Sequence, residues 1–432
     1  MGKILIHAGM SPLEQPPLGR VFREKLFTTN SGNLLFQYTA YRTLMTEGTE
    51  FITRFVHRGD LSDAFIEQVN SECECAVLPL ANNFRSGFNL LKGLTAFVKR
   101  LKIPCVVMGI GLQADSAAEI EAGFPFDDDV RAFVDAILDH SAQLGLRGEL
   151  TGEYLKKLGY APERHFTVIG CPSMYARGGD LLVPDPKPLT ADSPIGINYR
   201  KEQPANLFAF VERTASEFPN YSLLFQRAEE MLMLRYGMPV RYDYRRNLDD
   251  TGLYPTERSH PAIRGGHAVG FASARAWTGF MAQNRFSIGC RIHGNIAAVL
   301  AGTPAMVFTI DTRTEELCRY HNIPFIPAQT IDEHTRLADL YAQGDFASVG
   351  RGHEQRFRHF VDFLNANGLN HIYRDTLSPK DVPFDRAVAA LPEWGKIEFE
   401  PDISLPRRME RASLLWPRVR DGVGGRLRRL SR

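Results

Sequence analysis

Short apolar runs alternate with segments of helical length along the first half of the chain. The apolar runs are Lys3–His7, Cys75–Pro79, Pro104–Met108 and Phe166–Gly170. The segments between them favour helices at Leu34–Met45, Leu61–Val69, Asn89–Leu101, Asp128–Ser141 and Glu149–Leu158. Compact apolar runs separated by helix-length segments are typical of βαβ units, so we predict α/β layers built on a parallel sheet.

A proline-rich stretch interrupts this alternation. Residues Leu181–Pro194 contain Pro184, Pro186, Pro188 and Pro194 and show little apolar periodicity, as a linker would. A second series follows, with strands predicted at Ile195–Tyr199, Ser222–Gln226, Arg285–Gly289 and Ala305–Ile310. Its predicted helices are Leu207–Glu217, Ala268–Ala282, Asn295–Ala301 and Thr314–His321. We therefore predict two similar α/β domains, residues 1–185 and 194–375.

The end of the chain differs in composition from both predicted domains. Residues 376–432 are rich in proline and then basic, with nine arginines between Arg407 and Arg432 against Glu410 and Asp421. We treat these residues as a C-terminal extension. One interpretation is a solvated terminus, and the other is a patch that contacts an anionic membrane or a lipid-linked substrate.

Overall charge excludes one class of partner. The 432 residues include 51 Lys and Arg against 50 Asp and Glu, which gives a net charge of +1. A field that would hold nucleic acid is therefore not available, and we expect no nucleic-acid partner. Any anionic ligand must be bound by local groups.

Cysteine spacing and the N-terminus indicate the compartment. The six cysteines form no C-x-x-C pair, so a zinc site is not expected, and free thiols are typical of a reducing environment. The N-terminal residues read as a strand without the apolar stretch of a secretion signal, and no apolar run reaches bilayer length. We expect a cytoplasmic protein, with the inner face of the membrane as the place of any contact by the basic tail.

The most informative stretch is Phe286–Ala298, which predicts a strand, a short turn and the start of a helix. His293, Gly294 and Asn295 would be the first residues of that helix, where unpaired N–H groups and the helix dipole suit a phosphate or carboxylate. Arg291 lies two residues before His293 and can bind such a group through two parallel hydrogen bonds. The alternative is a core histidine that caps its own helix, with Arg291 in a structural ion pair.

Other polar residues follow other predicted strands. Arg147 comes after Leu144–Leu146 and Arg200 after Ile195–Tyr199, so both are candidates for a cleft between the domains, with a surface ion pair as the alternative. Met108–Gln113 places glycines after a strand, where a ligand can approach the backbone. This stretch lacks the third glycine and the downstream acid of a dinucleotide fingerprint, which argues against hydride transfer.

Two further residues lie near predicted helix starts. Asn33 ends the stretch Asn30–Asn33, which reads as a turn and helix cap. Glu316 lies in the first turn of a predicted helix, where it either favours the helix dipole or positions a substrate hydroxyl.

With these motifs the chain resembles the polysaccharide pyruvyl transferase family over roughly residues 25–330. The resemblance rests on Gly289–Gly294, Gly302–Pro304 and Asp311–Leu317. Supporting stretches are Asn30–Asn33, Gly109–Gln113, Leu146–Arg147 and Trp277–Met281. Asn33 stands where the family commonly has Asp, and Arg313 stands where it commonly has Lys.

The resemblance implies two Rossmann-like domains that face each other across a cleft, as in GT-B enzymes. It also implies transfer of a pyruvyl group from phosphoenolpyruvate to sugar hydroxyls, as a ketal, during exopolysaccharide or cell-surface glycan biosynthesis. Phosphoenolpyruvate is then a co-substrate, no metal or other cofactor is expected, and the acceptor is a glycan or a lipid-linked sugar.

Residue roles follow from the same resemblance. His293 and Arg291 are the implied catalytic residues, and the donor site adds Ile292, Gly294, Asn295, Arg147 and Arg200. Asn33, Gln113 and Glu316 are the implied acceptor contacts. As a hypothesis, His293 either protonates the enol ether or receives the proton of the attacking sugar hydroxyl, while Arg291 and helix amides stabilise the departing phosphate.

Two other functions stay open from the sequence. A GT-B glycosyltransferase with a nucleotide-sugar donor would also bind a diphosphate at a helix N-terminus. A non-catalytic scaffold of a polysaccharide assembly complex is the third possibility, although an unliganded buried arginine and imidazole would be costly to retain.

Overall fold

Two mostly parallel β-sheets organise the chain in the computed structural model, which describes residues 2–56, 61–85, 90–114, 117–240 and 253–414. The strands of the first sheet are β1 Lys3–Ile6, β2 Glu50–Thr53, β3 Cys73–Pro79, β4 Cys105–Ile110, β5 Leu144–Leu146 and β6 Phe166–Val168. The helices of this half are α1 Leu18–Arg23, α2 Asn33–Leu44, α3 Asp63–Glu72, α4 Leu90–Val98, α5 Ala117–Ala122, α6 Asp127–Leu138 and α7 Glu149–Lys157.

The first sheet is parallel, in the order β2-β1-β3-β4-β5-β6. β2 therefore pairs with one side of β1, and the later strands β3 to β6 are added in turn on the other side. This leaves a topological switch point between β1 and β3, and ligands of doubly wound sheets bind beyond the strand ends at such a point.

The second sheet begins after the proline-rich stretch. Its strands are β7 Ile195–Asn198, β8 Tyr221–Phe225, β9 Ala268–Phe271, β10 Phe286–Gly289, β11 Ala305–Thr309, β12 Phe325–Pro327 and β13 Lys396–Glu398. The helices are α8 Asn206–Glu217, α9 Ala228–Tyr236, α10 Pro261–Arg264, α11 Ala274–Met281, α12 Ile292–Leu300, α13 Thr312–His321, α14 Leu337–Gln343, α15 His353–Ala366 and α16 Pro383–Ala389.

Strand order in the second sheet is β12-β11-β10-β7-β8-β9-β13, with β13 antiparallel to β9. Apart from β13 this is the doubly wound order of dinucleotide-binding folds, and its switch point lies between β7 and β10. The chain thus has the predicted α/β class, with two Rossmann-like domains facing across a cleft. In the first domain the strand order is the flavodoxin-like variant.

Each domain contributes a segment to the core of the other. Phe357 and Phe360 of α15 pack with Ile4 and Ile6 of the first sheet, although α15 follows the parallel strands of the second sheet in the chain. In the opposite direction α1 packs on the second domain, where the ring of Phe22 contacts a tyrosine of α9. Shared apolar cores of this kind hold the two domains in one arrangement.

Two sequence-based boundaries differ from the structure. Residues Ala268–Ala282 were predicted as one helix, but Ala268–Phe271 is a strand, and Ser273 starts α11 by accepting a hydrogen bond from the backbone N–H of Ala276 (3.3 Å). β13 lies within the predicted extension 376–432 and joins the second sheet. The predicted basic tail begins at Arg407, and its residues beyond 414 lie outside the described residues. No helix in the described ranges is long and apolar enough to span a bilayer.

Candidate active site

Both sheets end at one cavity of about 500 Å³ between the domains, which we call the central cavity. His7 after β1 and Leu80 after β3 line it from the first domain. Arg200 after β7 and the residues Arg291–His293 after β10 line it from the second. The switch points of the two sheets therefore face each other across the space where a ligand is expected.

The turn from β10 to α12 is shaped by close packing at two glycines. Gly289 has φ +139°, and a Cβ there would overlap the backbone carbonyl of Asn198. A Cβ on Gly294 would overlap the Asn198 side chain. These glycines are needed for the backbone of the turn to approach β7, and a side chain at either position would push the turn away.

Asn295 holds the same turn through buried hydrogen bonds. Its Oδ1 accepts from Ser287 Oγ (2.8 Å) and Asn198 Nδ2 (3.2 Å), and its Nδ2 donates to the Gly289 carbonyl (3.0 Å). The backbone N–H groups of Gly294 and Asn295 both donate to the Arg291 carbonyl. Gly294 and Asn295 do not line the central cavity, and the contacts that the structure gives them hold the turn in place.

The first two amides of α12 are placed differently. Ile292 and His293 line the central cavity, and their backbone N–H groups have no acceptor within the described residues. Unpaired N–H groups at a helix start carry the positive end of the helix dipole. They are available to an anion in the cavity.

Arg291 lines the central cavity but already has an acidic partner. Its Nη2 donates to Glu230 Oε1 (3.1 Å) and its Nε to the Tyr199 carbonyl (3.0 Å), and Glu230 is fully buried. Burial acts to lower the pKa of Arg291, but the charge of Glu230 together with Tyr254, Cys290 and Glu202 outweighs burial and raises that pKa. The Arg291 charge is thus balanced inside the protein, as in the structural alternative considered from the sequence.

Arg147 is a buried cation without an acidic partner in the described part of the chain. Its side chain is 2 % exposed, its Nε donates to the Gly109 carbonyl (2.6 Å) and its Nη2 to the Leu80 carbonyl (3.0 Å). Gly109 has φ +81°, and a Cβ on Gly111 would crowd the Arg147 side chain. Gly111 therefore leaves room for Arg147, and a Cβ on Gly109 would meet Pro172, where the sequence suggested that these glycines let a ligand approach the backbone.

Two more arginines reach the central cavity near Arg147. Arg200 and Arg313 each have a buried Nε with no hydrogen-bond partner among the described residues. Arg313 Nη2 donates to Asp311 Oδ2 (3.1 Å). Burial lowers the pKa of Arg313, and the charges of Arg200 and Arg147 lower it further against the opposing effect of Asp311. Cations that repel one another in a buried site indicate a place for an anion.

His293 lies among these charges. Its Nε2 is 3.8 Å from Cys171 Sγ, and its ring lies 6.0 Å from that of Phe36. Burial lowers the pKa of His293 well below its ordinary value, and the positive charges of Arg147 and Arg313 add to this effect. The imidazole is therefore neutral near pH 7 in the unliganded protein.

The three residues expected to bind the acceptor separate into two groups. Asn33 and Gln113 line the central cavity, and Asn33 Nδ2 donates to Thr28 Oγ1 (2.7 Å). Glu316 does not line it, because its carboxylate lies over Gly148 and accepts hydrogen bonds from the first turn of α7. The pKa of Glu316 is raised to about 7 by burial, which these hydrogen bonds only partly offset.

Sequence reasoning did not assign a role to Arg313 or Gln37, both of which line the central cavity. Arg313 belongs to the motif Asp311–Leu317, and a cation two residues after an N-capping Asp beyond a strand end was the available signal. Gln37 lies within α2, and nothing in the local pattern distinguishes it from other polar helix residues.

Two doubly wound domains with a cationic cavity between their switch points define a GT-B-like architecture. The model of the family described as polysaccharide pyruvyl transferase matches residues 56–312, which is more than half of the chain. The chain therefore belongs to the polysaccharide pyruvyl transferase family. No functionally curated protein sequence shows significant similarity to it.

Several solved structures are similar to the chain at low identity. UDP-GlcNAc 2-epimerase from Neisseria meningitidis is 10% identical, with a TM-score of 0.45, over 84% of this chain and 99% of the epimerase. Sucrose-phosphate synthase from Thermosynechococcus elongatus is 11% identical, with a TM-score of 0.41, over 85% of this chain and 98% of the synthase. UDP-GlcNAc 2-epimerase from Methanocaldococcus jannaschii is 10% identical, with a TM-score of 0.41, over 83% of this chain and 99% of that epimerase.

Proposed function

We propose that the protein transfers a pyruvyl group from phosphoenolpyruvate to two hydroxyl groups of one sugar and releases phosphate. The observation that carries this proposal is the cluster of Arg147, Arg200 and Arg313 beside His293. Within the described residues, Asp311 is the acidic group paired with this cluster, so about two positive charges stay uncompensated.

The chemistry of phosphoenolpyruvate matches this charge. Its phosphate carries about −1.5 to −2 near neutral pH, and its carboxylate adds one more negative charge a few bonds away. Guanidinium groups bind both anions in bidentate geometry, and the free amides of Ile292 and His293 offer further donors. A donor with two anionic ends is therefore well suited to a site with several separate cationic groups.

A neutral His293 favours one of the two roles considered for it. An imidazole that is unprotonated in the free enzyme can accept the proton of the first sugar hydroxyl as that oxygen bonds to C2 of the donor. Bound anion would offset the charges of Arg147 and Arg313, which raises the basicity of His293 when substrate is present.

The reaction balances without a further reactant. The first hydroxyl oxygen adds to C2, and C3 gains a proton and becomes a methyl group. The C2–O bond to phosphate then breaks, and the second hydroxyl oxygen bonds to C2 and closes the ketal. The two hydroxyl protons are accounted for by the methyl group and the released phosphate.

Arg291 takes a supporting role in this proposal. Because Glu230 and the Tyr199 carbonyl occupy its Nη2 and Nε, we assign it the task of fixing the start of α12, which carries His293. Arg147, Arg200 and Arg313 are the proposed ligands of the donor, with the arginines stabilising the phosphate as it leaves.

Thermal unfolding with phosphoenolpyruvate tests the proposal directly. A ligand that binds only the folded protein raises its melting temperature. At a ligand concentration a hundredfold above Kd, the free energy of unfolding rises by about 2.7 kcal/mol. We expect a shift in the wild type, a much smaller shift in Arg200→Met, and an unchanged shift in Arg319→Met. Arg319 is the matched control because it is an exposed arginine on the helix that also carries Arg313.

Release of phosphate in the presence of sugar acceptors would then demonstrate transfer. UDP-glucose is the competing ligand in the same assay. Stabilisation by UDP-glucose without stabilisation by phosphoenolpyruvate would refute the proposal and support a nucleotide-sugar glycosyltransferase, and no stabilisation by either would favour a scaffold.

A further inference from the structure

A second cavity, which we call the side cavity, lies beside the central cavity and has a volume of about 740 Å³. Its walls come from both domains: residues 10–18 and α2 on one side, and α11 and residues 388–396 on the other. This volume falls within the range of about 300–1,000 Å³ typical of small-molecule sites. The family match and the donor chemistry described above leave it without a role.

Gln37 connects the two cavities. On α2, Asn33, Phe36 and Gln37 line the central cavity, whereas Leu34, Gln37 and Tyr38 line the side cavity. Helix geometry places residues 33 and 37 on one edge and residues 34 and 38 on the adjacent edge, so Gln37 stands at the boundary. A ligand that occupied both cavities would contact this side chain.

The Gln37 side chain is buried but unsatisfied. It is 3 % exposed, and its Oε1 has no hydrogen-bond partner within the described residues. A buried carbonyl oxygen without a donor is costly, and native structures leave few of them. A ligand hydroxyl at the boundary between the cavities would supply the missing donor.

The lining of the side cavity combines aromatic faces with balanced charge. Tyr38, Phe280 and Trp394 provide the rings. Its acidic residues Glu14 and Glu393 are matched in number by the basic residues Arg275 and Lys396. The side cavity thus lacks the excess of cations found in the central cavity, which favours a neutral ligand over a phosphorylated one. Aromatic faces beside polar groups suit a sugar, whose C–H bonds stack on rings while its hydroxyls form hydrogen bonds.

Contacts between the domains hold the walls of the side cavity together. Gln15 Nε2 donates to the Pro392 carbonyl (2.8 Å), which ties the N-terminal loop to the segment that carries Trp394. Within the wall formed by α11 and residues 388–396, Arg275 Nη1 donates to the Leu391 carbonyl (3.0 Å). The cavity is therefore formed before any ligand binds, and little ordering cost opposes binding.

We propose that the side cavity binds the acceptor glycan, taking the sugar units next to the one that is pyruvylated. This inference rests on the proposed function, because the reacting sugar must reach the donor beside His293. Gln37 then positions the chain of sugars where it leaves the central cavity. Trp394 supplies the main stacking surface, and the acceptor is a saccharide of at least two units.

Calorimetric titration tests the proposal with defined probes. These are the β-linked tetrasaccharides of glucose, galactose, mannose and N-acetylglucosamine, each compared with its methyl glycoside. We expect at least one tetrasaccharide to bind more tightly than its methyl glycoside. Its affinity should fall roughly 3- to 10-fold in Trp394→Ala, as loss of one ring contact predicts, and largely return in Trp394→Phe. Gln37→Leu should weaken the same probe.

The outcomes separate this inference from the proposed function. If no tetrasaccharide binds, or if all variants bind equally, the side cavity is not an acceptor site. Preferential binding of a prenyl phosphate at Trp394 would also overturn the inference. The thermal shift with phosphoenolpyruvate, measured on the same variants, reports on the central cavity. Loss of that shift in the wild type, with Trp394-dependent glycan binding intact, would reject the proposed donor and leave the glycan site standing.

Discussion

Replacing Arg147 with Met should raise the pKa of His293. Arg147 has a positive charge that helps to keep the pKa of this imidazole low, and Met removes the charge while retaining much of the side-chain volume. Phe36 lies close to both groups, with its ring 5.2 Å from Arg147 Cζ and 6.0 Å from the His293 ring, so the two groups are at most about 11 Å apart. At an effective dielectric constant of about 20, two unit charges at this upper limit of separation interact by about 1.5 kcal/mol, which sets the scale of the expected effect.

Nuclear magnetic resonance of protein labelled with ¹⁵N in its histidines measures this directly. His293→Gln identifies the signal by its disappearance among the 12 histidines. In the wild type we expect His293 to stay neutral down to a pH well below 6.5, and in Arg147→Met the midpoint of its titration should rise. The acidic limb of kcat/KM should move with it if His293 is the base.

Arg319→Met is the control, because it removes the same charge from an exposed position. An unchanged midpoint in Arg147→Met would refute the electrostatic reasoning, as would a wild-type midpoint at or above 6.5. Circular dichroism must show that Arg147→Met remains folded, since the substitution leaves the Gly109 and Leu80 carbonyls without this donor.

Three further predictions concern packing, a buried ion pair and pH. Gly32→Ala keeps an allowed backbone but brings a Cβ within 2.8 Å of His293 Nδ1, so phosphate-release assays should show a roughly ten- to hundredfold loss of kcat. Glu230→Gln leaves the Arg291 charge unpaired and should cost about 3–5 kcal/mol in urea unfolding, and a cost below 1 kcal/mol would contradict this. With its pKa raised to about 7, Glu316 contributes stability below its unfolded pKa and loses it as pH rises through 7. Glu316→Gln should therefore increase unfolding free energy at pH 8 by up to about 3 kcal/mol and by less at pH 5, as urea curves at both pH values would reveal.

Local patterns explain the predictions that the structure supports. Apolar runs of strand length predict which segments are buried in a sheet. The signal lies within a few consecutive residues, as in Ile195–Asn198 and Phe286–Gly289, which are both fully buried strands. The start of a helix after such a run places His293 beyond the end of a strand. The same logic applies to Arg147 and Arg200, which follow β5 and β7 and reach the central cavity.

Where local signals compete, the prediction was wrong. Ala268–Phe271 and the helix that follows it are both apolar, so they read as one helix, and the capping role of Ser273 was the missed signal. Arg291 has the same sequence environment whether or not it has a partner. Its partner Glu230 lies 61 residues away, on α9, and is brought to it by the pairing of β7 with β8 and β10.

The amino-acid sequence by itself determined the two α/β domains, the strand ends that carry polar residues, and the helix start that carries His293. These depend on periodicity and capping, which act over a few residues. Only the tertiary structure decided which cations have acidic partners, that Glu316 binds α7 outside the cavity, and that Arg313 joins Arg147 and Arg200 around His293. The physical reason is that charge balance and burial depend on strand order and domain contacts, which bring distant residues together.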